Sequence, residues 1–205
     1  MKHLRAAVPL AVTALVAGCS STPGDAAPVV PSTSLDSRPL STALQAPTVP
    51  KVDVPLTLEP FLADPCVSLT DDQVIEYLGN PAETELGTEN SSGPSCSWYS
   101  GMRSNAQISI TYPRLTDEGL TAIYRNRDVH AFFDEAEPVN GYPAVSYGGV
   151  DNRDEGECLI TVGTSDSDYV NIDVYLGDGS VGRVDPCDAA HEVATAVIDN
   201  IKATN

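Results

Sequence analysis

The sequence predicts an α+β fold: a single antiparallel β-sheet of about five strands, two or three helices packed on one face, and two disulfides. Three observations carry this. Residues 169–176 alternate, with Val170, Ile172, Val174 and Leu176 on one side and polar residues on the other, the period-two mark of a half-buried strand. From Asp185 onward, Ala190, Val193, Ala194, Val197 and Ile201 form a stripe of small and branched residues at helical spacing. From residue 61 to the end of the chain, turn-punctuated strand and helix patterns and four cysteines fall within some 145 residues, enough for one core and too few for two.

Residues 1–18 have the three parts of an export signal: a basic start (Lys2, Arg5), an apolar stretch over 6–16, and small residues after it. An apolar stretch that short cannot span a hydrocarbon core of about 30 Å. Val16-Ala17-Gly18-Cys19 resembles the lipobox of bacterial lipoproteins, in which the cysteine thiol takes up a diacylglyceryl group and becomes the first residue of the mature chain. Two acyl chains hold a protein on a bilayer where one holds only marginally. The expected location is therefore the outer leaflet of the cell membrane, on the extracytoplasmic face.

Residues 19–60 then read as the lipidated cysteine followed by a tether rich in Ser, Thr, Pro, Ala and Val, with no sustained period. A flexible coil of that length has an r.m.s. span of about 35 Å, and an extended one reaches roughly 130 Å. The globular domain is expected over 61–205.

Within it, Thr70 and Gln73 form a capping box flanked by Leu69 and Val74 as a hydrophobic staple. Val74, Tyr77 and Leu78 continue one helical face, and Gly79 ends it. Strands follow at about 96–100 and 106–112, the second carrying Ile108, Ile110 and Tyr112 on one side. Thr116-Asp117-Glu118 opens a second helix with Leu120, Ile123 and Tyr124. Three more strands, at about 143–147, 158–162 and 169–176, read as a meander. The last helix starts at Asp185, with Pro186 in the first position, where its missing N–H costs nothing.

Once Cys19 is set aside for lipid, Cys66, Cys96, Cys158 and Cys187 are an even set in an oxidising compartment. Pairing neighbours closes two loops of about thirty residues, worth roughly 3–4 kcal/mol each in the chain-entropy model. The alternative joins Cys66 to Cys187 and Cys96 to Cys158, and spacing alone leaves both open. No two of these cysteines have the short spacing of a structural zinc site.

The chain carries 11 Lys+Arg against 29 Asp+Glu, and loss of Lys2 and Arg5 with the leader leaves 9 against 29, near −20. Such a field repels nucleic acid and anionic headgroups. It excludes a nucleic-acid role.

Two Asp-Pro-Cys motifs, Asp64-Pro65-Cys66 and Asp185-Pro186-Cys187, bracket the domain, with Cys96-Ser97-Trp98, Gly141-Tyr142-Pro143-Ala144 and Cys158 between them. With the lipobox, this order resembles the actinobacterial lipoproteins of the domain-of-unknown-function 3558 family, over about residues 61–203. The resemblance implies a cell-envelope lipoprotein, and it brings no catalytic residues to carry over.

Candidate chemistry is sparse. Ser146, in Ala144-Val145-Ser146-Tyr147-Gly148, echoes a nucleophile elbow, but that motif needs a strand-to-helix turn and 148–157 reads as a hairpin loop. His191 lies one turn after Cys187, and His130 sits beside Phe132 and Phe133, where packing suffices to explain it. The loop 151–157 invites a calcium reading, yet Arg153 occupies a ligand position and the twelfth residue from Asp151 is Val162, so the EF-hand pattern fails. An irregular calcium site from Asp151, Asp154, Glu155 and Glu157 is what remains of that reading, beside the plainer one of a solvated hairpin tip. Asp166 and Asp168 make a second acidic turn. Trp98 reads as core beside a disulfide, and Asn90-Ser91-Ser92 fits a glycosylation sequon. There is no phosphate loop or dinucleotide fingerprint, and no cofactor is expected.

These readings point to a non-catalytic, tethered binding or interaction domain for a small molecule, lipid or envelope protein. One alternative is an envelope-polymer hydrolase using the loop carboxylates Asp151, Asp154 or Glu157, which needs two carboxyl groups about 5–9 Å apart across a groove. Another is a sensor or partner-binding module with an exposed apolar patch larger than about 400 Å².

Overall fold

The computed structural model describes residues 48–87, 92–102 and 105–205. The leader, Cys19, the first part of the expected tether and Asn90-Ser91 lie outside the described residues. Among the described residues, no helix is long and apolar enough to cross a membrane.

The chain enters the domain along residues 48–58, which the sequence reading placed in the tether. Val52 and Leu56 pack against the core and Leu58 is buried, while Leu56 N–H donates to the Thr164 carbonyl at 2.9 Å and Tyr142 O–H to the Val54 carbonyl at 2.9 Å. Three apolar residues at even spacing let this strip lie down on the domain. The one-turn helix α1, Glu59–Ala63, follows and buries Phe61, and a 3₁₀ turn at Pro65–Ser68 begins with the Asp64 carboxylate accepting from Cys66 N–H.

Helix α2, Asp71–Leu78, has the expected capping box, with Thr70 accepting from Gln73 N–H and Gln73 accepting from Thr70 N–H. Then come β1 (Ala82–Gly87), β2 (Ser95–Ser100) and β3 (Gln107–Thr111). Helix α3 is Leu120–Arg125 and β4 is Phe132–Val139. The remaining elements are β5 (Tyr142–Gly148), β6 (Glu157–Gly163), β7 (Tyr169–Tyr175) and α4 (Pro186–Lys202).

The α+β class holds, but the sheet has seven strands rather than five, in the order β1-β2-β3-β7-β6-β5-β4, with every neighbouring pair antiparallel. The two additional strands are the two edges. Strand β1, Ala-Glu-Thr-Glu-Leu-Gly, is almost wholly exposed and shows no apolar alternation to read. Strand β4 carries Asp134, Glu135, Glu137 and Pro138, with a register shift between Ala136 and Val139. Proline and bulges are tolerated at a sheet edge because no second neighbour needs the N–H.

Helices lie on both faces, not one. On the first face α4 buries Ala190, Val193, Ala194, Val197, Ile198 and Ile201 against Ile160, Val162, Val170 and Ile172. Phe61, Val74 and Leu78 close the same core over Trp98, Ile108 and Ile110. Complete burial of such a side chain contributes roughly 1.5–3 kcal/mol. On the second face α3 packs Leu120, Ile123 and Tyr124 over Val145 and Tyr169, with the Tyr124 and Phe133 rings edge to face at 5.1 Å. This second cluster exists because Val145 alternates with Ala144 and Ser146, which point the other way.

Helix α3 begins later than Thr116. The Thr116 hydroxyl accepts from Glu118 N–H, closing a separate turn, and Gly119 sits at φ +54° with its Cα against the Asp166 carbonyl, where a Cβ would meet that oxygen at 2.6 Å. The chain can turn into the helix only after this glycine.

The disulfides join neighbours. Cys66–Cys96 fixes the 3₁₀ turn to β2 and Cys158–Cys187 fixes the start of α4 to β6, across separations of 30 and 29 residues.

Candidate functional site

A cleft of about 610 Å³ opens on the first face of the sheet where α4 begins. Three parts of the chain form it. Alternate residues of the strands turn inward from β4 to β6, giving a floor of Ala136, Ser146 and Ile160. The first turns of α4 bring Asp185, Cys187, Asp188 and His191 to one wall. The β5–β6 loop brings Asp151, Arg153 and Asp154 to the other.

The loop is held by Arg153. Its Nη1 donates to Asp134 Oδ2 at 2.7 Å, its Nε and Nη2 donate to the two Asp151 oxygens at 2.8 and 2.7 Å, and its guanidinium lies 4.1 Å above the Phe132 ring. These bonds hold the Asp151 carboxyl below the usual aspartate range and the guanidinium still further above its own. Arg153 is therefore already matched by two carboxylates.

The α4 N-terminus is similarly occupied. The Asp185 carboxylate accepts from Cys187 N–H at 2.8 Å and Asp188 N–H at 3.3 Å, which satisfies the exposed donors of the first turn. Asp154, Glu137 and Asp188 add negative charge, and among the described residues lining the cleft no cation forms an ion pair with them. Among the described residues that line the cleft, the other basic group is His191, whose Nε2 lies 3.1 Å from the Glu137 carbonyl oxygen. A carbonyl only accepts, so that nitrogen carries the proton. The cleft is thus a negative rim over a small apolar floor, the arrangement of ligand sites in which a few polar groups orient an otherwise apolar contact.

Two residues singled out from sequence, Ser146 and His191, do line this cleft, but not as a catalytic pair. Ser146 lies inside β5, opposite Ile160 of β6, and donates its proton to the Leu159 carbonyl at 2.8 Å. There is no strand-to-helix turn, so the elbow geometry is absent at this serine. His191 is engaged with Glu137.

The four calcium candidates do not converge. Asp151 and Asp154 face the cleft, Glu155 is exposed in the loop, and Glu157 belongs to the second face, where it accepts from Tyr175 O–H and Asn152 Nδ2–H, both at 2.8 Å. Among the described residues no three His, Cys, Asp or Glu side chains gather as metal ligands. Asp166 pairs with Lys51 at 3.1 Å and Asp168 accepts from the Ser165 and Ser167 hydroxyls, so the second acidic turn serves local structure. Trp98 is in the core beside Cys96, and the His130 ring lies tilted by 47° against Tyr147 with centroids 4.6 Å apart.

Glu157 lines a separate recess of about 390 Å³ together with Asp173, Asn152 and Tyr147. Burial, reinforced by the nearby Glu157 charge, pushes Asp173 up to about 7, and its Oδ1 has no hydrogen-bond partner among the described residues.

Sequence reasoning missed Asp134 and Glu137, because it missed β4. A signal was present: Asn140-Gly141 is a two-residue hairpin turn, with φ of 50° and 90°, and such a pair demands a strand on each side.

The family model described as "Protein of unknown function (DUF3558)" matches residues 14–200 of the chain. No curated protein matches it, and no solved structure matches it.

Proposed function

We propose, for a chain that belongs to the DUF3558 family of proteins of unknown function, that it is a lipid-anchored extracytoplasmic protein whose domain binds small cationic ligands without transforming them. The anchor is the diacylglyceryl group on Cys19, and residues 20–47 give the domain reach from the membrane. The observation that supports the binding reading is the cleft, with its carboxylate rim and its floor of Ala136, Ser146 and Ile160. A volume of about 610 Å³ suits a ligand of modest size. Such a ligand carries amino or guanidino groups for the rim and an aliphatic spacer for the floor.

Hydrolysis by Asp151, Asp154 and Glu157 draws no support from this geometry, because Glu157 faces the other recess and Asp151 is bound to Arg153. The anchor is tested by Cys19→Ala, which should move the protein from the membrane fraction to the medium. The binding reading is tested by calorimetry of the mature protein with spermidine and, as the anionic control, glutarate. Saturable 1:1 heats with spermidine alone, weakened about fivefold in Asp134→Asn/Asp188→Asn, are expected. Equal heats from both compounds, or none from spermidine, would overturn the reading.

A further inference from the structure

The two disulfides sit in the same Asp-Pro-Cys setting but in different surroundings. Cys66–Cys96 runs from a short 3₁₀ turn, where Cys66 is half-buried, into the core, where Cys96 is fully buried, and neither residue lines the cleft. Cys158–Cys187 contributes Cys187 to the cleft wall. Cys187, in the first turn of a 17-residue helix, is half-buried and lines the cavity, whereas Cys158 is 1 % exposed. One sulfur can be approached and the other cannot.

The buried serine beside this bridge adds an independent observation. Ser146 Oγ is 3.2 Å from Cys158 Sγ and 3.8 Å from Cys187 Sγ. A bridged sulfur has no proton to give, and the single Ser146 proton goes to the Leu159 carbonyl. The oxygen therefore sits against two sulfurs with nothing to accept from them. Opening the bridge changes this: a Cys158 thiol can donate to the serine oxygen as it stands, and a Cys158 thiolate can receive the serine proton once the hydroxyl turns from the Leu159 carbonyl. The opened state has its polar partner already in place.

From this juxtaposition we infer that Cys158–Cys187 is an exchangeable disulfide that captures thiol-bearing ligands covalently through Cys187. A thiolate entering from the cleft attacks Cys187 Sγ, forming a new S–S bond to Cys187 as the bond to Cys158 breaks. The bonding pair leaves on Cys158, whose thiolate is held by the Ser146 hydroxyl. Capture is reversed when Cys158 attacks the mixed disulfide and expels the original thiolate. With a second equivalent of thiol acting as reductant, the mixed disulfide is resolved instead, giving the ligand disulfide and the Cys158/Cys187 dithiol. Thiolate attack of this kind depends on access and on the leaving sulfur, and this bridge differs from Cys66–Cys96 in that Cys187 lines a cleft and Ser146 lies beside Cys158.

The rim sets the preferred thiol. Asp185 and Asp188 flank Cys187, and Asp134, Glu137 and Asp154 face it across the cleft, with Arg153 already bound to Asp134 and Asp151. Anionic thiols are repelled and thiols that carry an ammonium group are drawn in. This choice of thiol rests on the cationic-ligand reading, but the opening of the bridge does not.

The test treats the mature lipoprotein in detergent with cysteamine, 2-mercaptoethanol or thioglycolate at equal thiolate concentration, then traps free thiols with N-ethylmaleimide and maps adducts by mass spectrometry. The expected result is a cysteamine adduct on Cys187, opening of Cys158–Cys187 at least tenfold faster than Cys66–Cys96, and rates in the order cysteamine, mercaptoethanol, thioglycolate. Asp188→Asn, at an exposed position, should narrow the spread between thiols, and Ser146→Ala should slow opening severalfold while Ser146→Thr restores it. Equal rates at the two disulfides, opening only under denaturing conditions, or the adduct on Cys158 would overturn the inference. If spermidine still binds while no exchange occurs, the inference falls and the binding reading stands. If exchange occurs with no preference among the thiols, the cationic reading falls and the exchangeable bridge stands.

Discussion

Arg153 Nη1 lies 2.7 Å from Asp134 Oδ2, a bond that joins the β5–β6 loop to the edge strand β4 across the mouth of the cleft. The Arg153 side chain is 34 % exposed and Asp134 59 %, so screening keeps the energetic contribution small and the role is positional. Arg153→Gln should lower stability by only about 1 kcal/mol or less but free the loop. Hydrogen exchange over residues 150–156 should rise, while exchange in β6 and β7 should not. An unchanged loop would mean that Phe132 and the backbone hold it without the guanidinium.

Asp173 gives a pH-dependent prediction. Its folded-state pKa, about 7, lies above the ordinary carboxylate value, so folding binds its proton more tightly and penalises the ionised form. The penalty is absent below about pH 4, grows from pH 4 to 7, and is complete above pH 7. Asp173→Asn removes it. The variant should be more stable than the parent by roughly 1–3 kcal/mol at pH 8 and equal to it at pH 4, as read from denaturant melts at a series of pH values. A difference of the same size at both pH values would contradict this.

The hydroxyls of Tyr112 and Ser68 are 2.7 Å apart inside the core, and Ser68 donates to the Pro65 carbonyl at 2.6 Å, so Tyr112 is the donor between them. Tyr112→Phe leaves the Ser68 oxygen with one acceptor site unfilled in a buried place. The expected cost is about 1–2 kcal/mol in thermal or denaturant melts. Ser68→Ala in the Tyr112→Phe background should cost less than Ser68→Ala in the parent.

Removing Cys66 and Cys96 together, as alanines, should lower stability by about 2–5 kcal/mol, since the bridge closes a 30-residue loop and Cys96 is in the core. Calorimetric melts of the double variant measure it. A loss under 1 kcal/mol would mean that the core alone orders the 3₁₀ turn.

The parts of this molecule that were legible in sequence are those whose pattern is local. Thr70 and Gln73 announce α2 because a capping box is complete within four residues. Val170, Ile172 and Val174 announce β7 because a half-buried strand alternates. Asp185-Pro186 and the stripe from Ala190 to Ile201 announce α4. Alternation does not reveal the edges β1 and β4, because a strand with one neighbour and a solvated face need not alternate, and their glutamates and Pro138 argue against a strand, so that only the Asn140-Gly141 turn points to β4. Packing of α3 on the second face was also hidden, since Leu120 and Tyr124 do not say which side of β5 they will meet. The cleft is a product of the fold: Asp134, Asp154 and Asp188 are far apart in the chain and meet only because β4 pairs with β5 and the Cys158–Cys187 bridge sets α4 beside them.

Whether this cleft receives a cation is decided by an NMR titration of the ¹⁵N-labelled mature protein with spermidine. Saturable shifts confined to residues 134–137, 151–154 and 185–191, reduced in Asp134→Asn/Asp188→Asn, are expected. Shifts centred on Glu157 and Asp173 in the other recess, or spread evenly over the acidic surface, would contradict it.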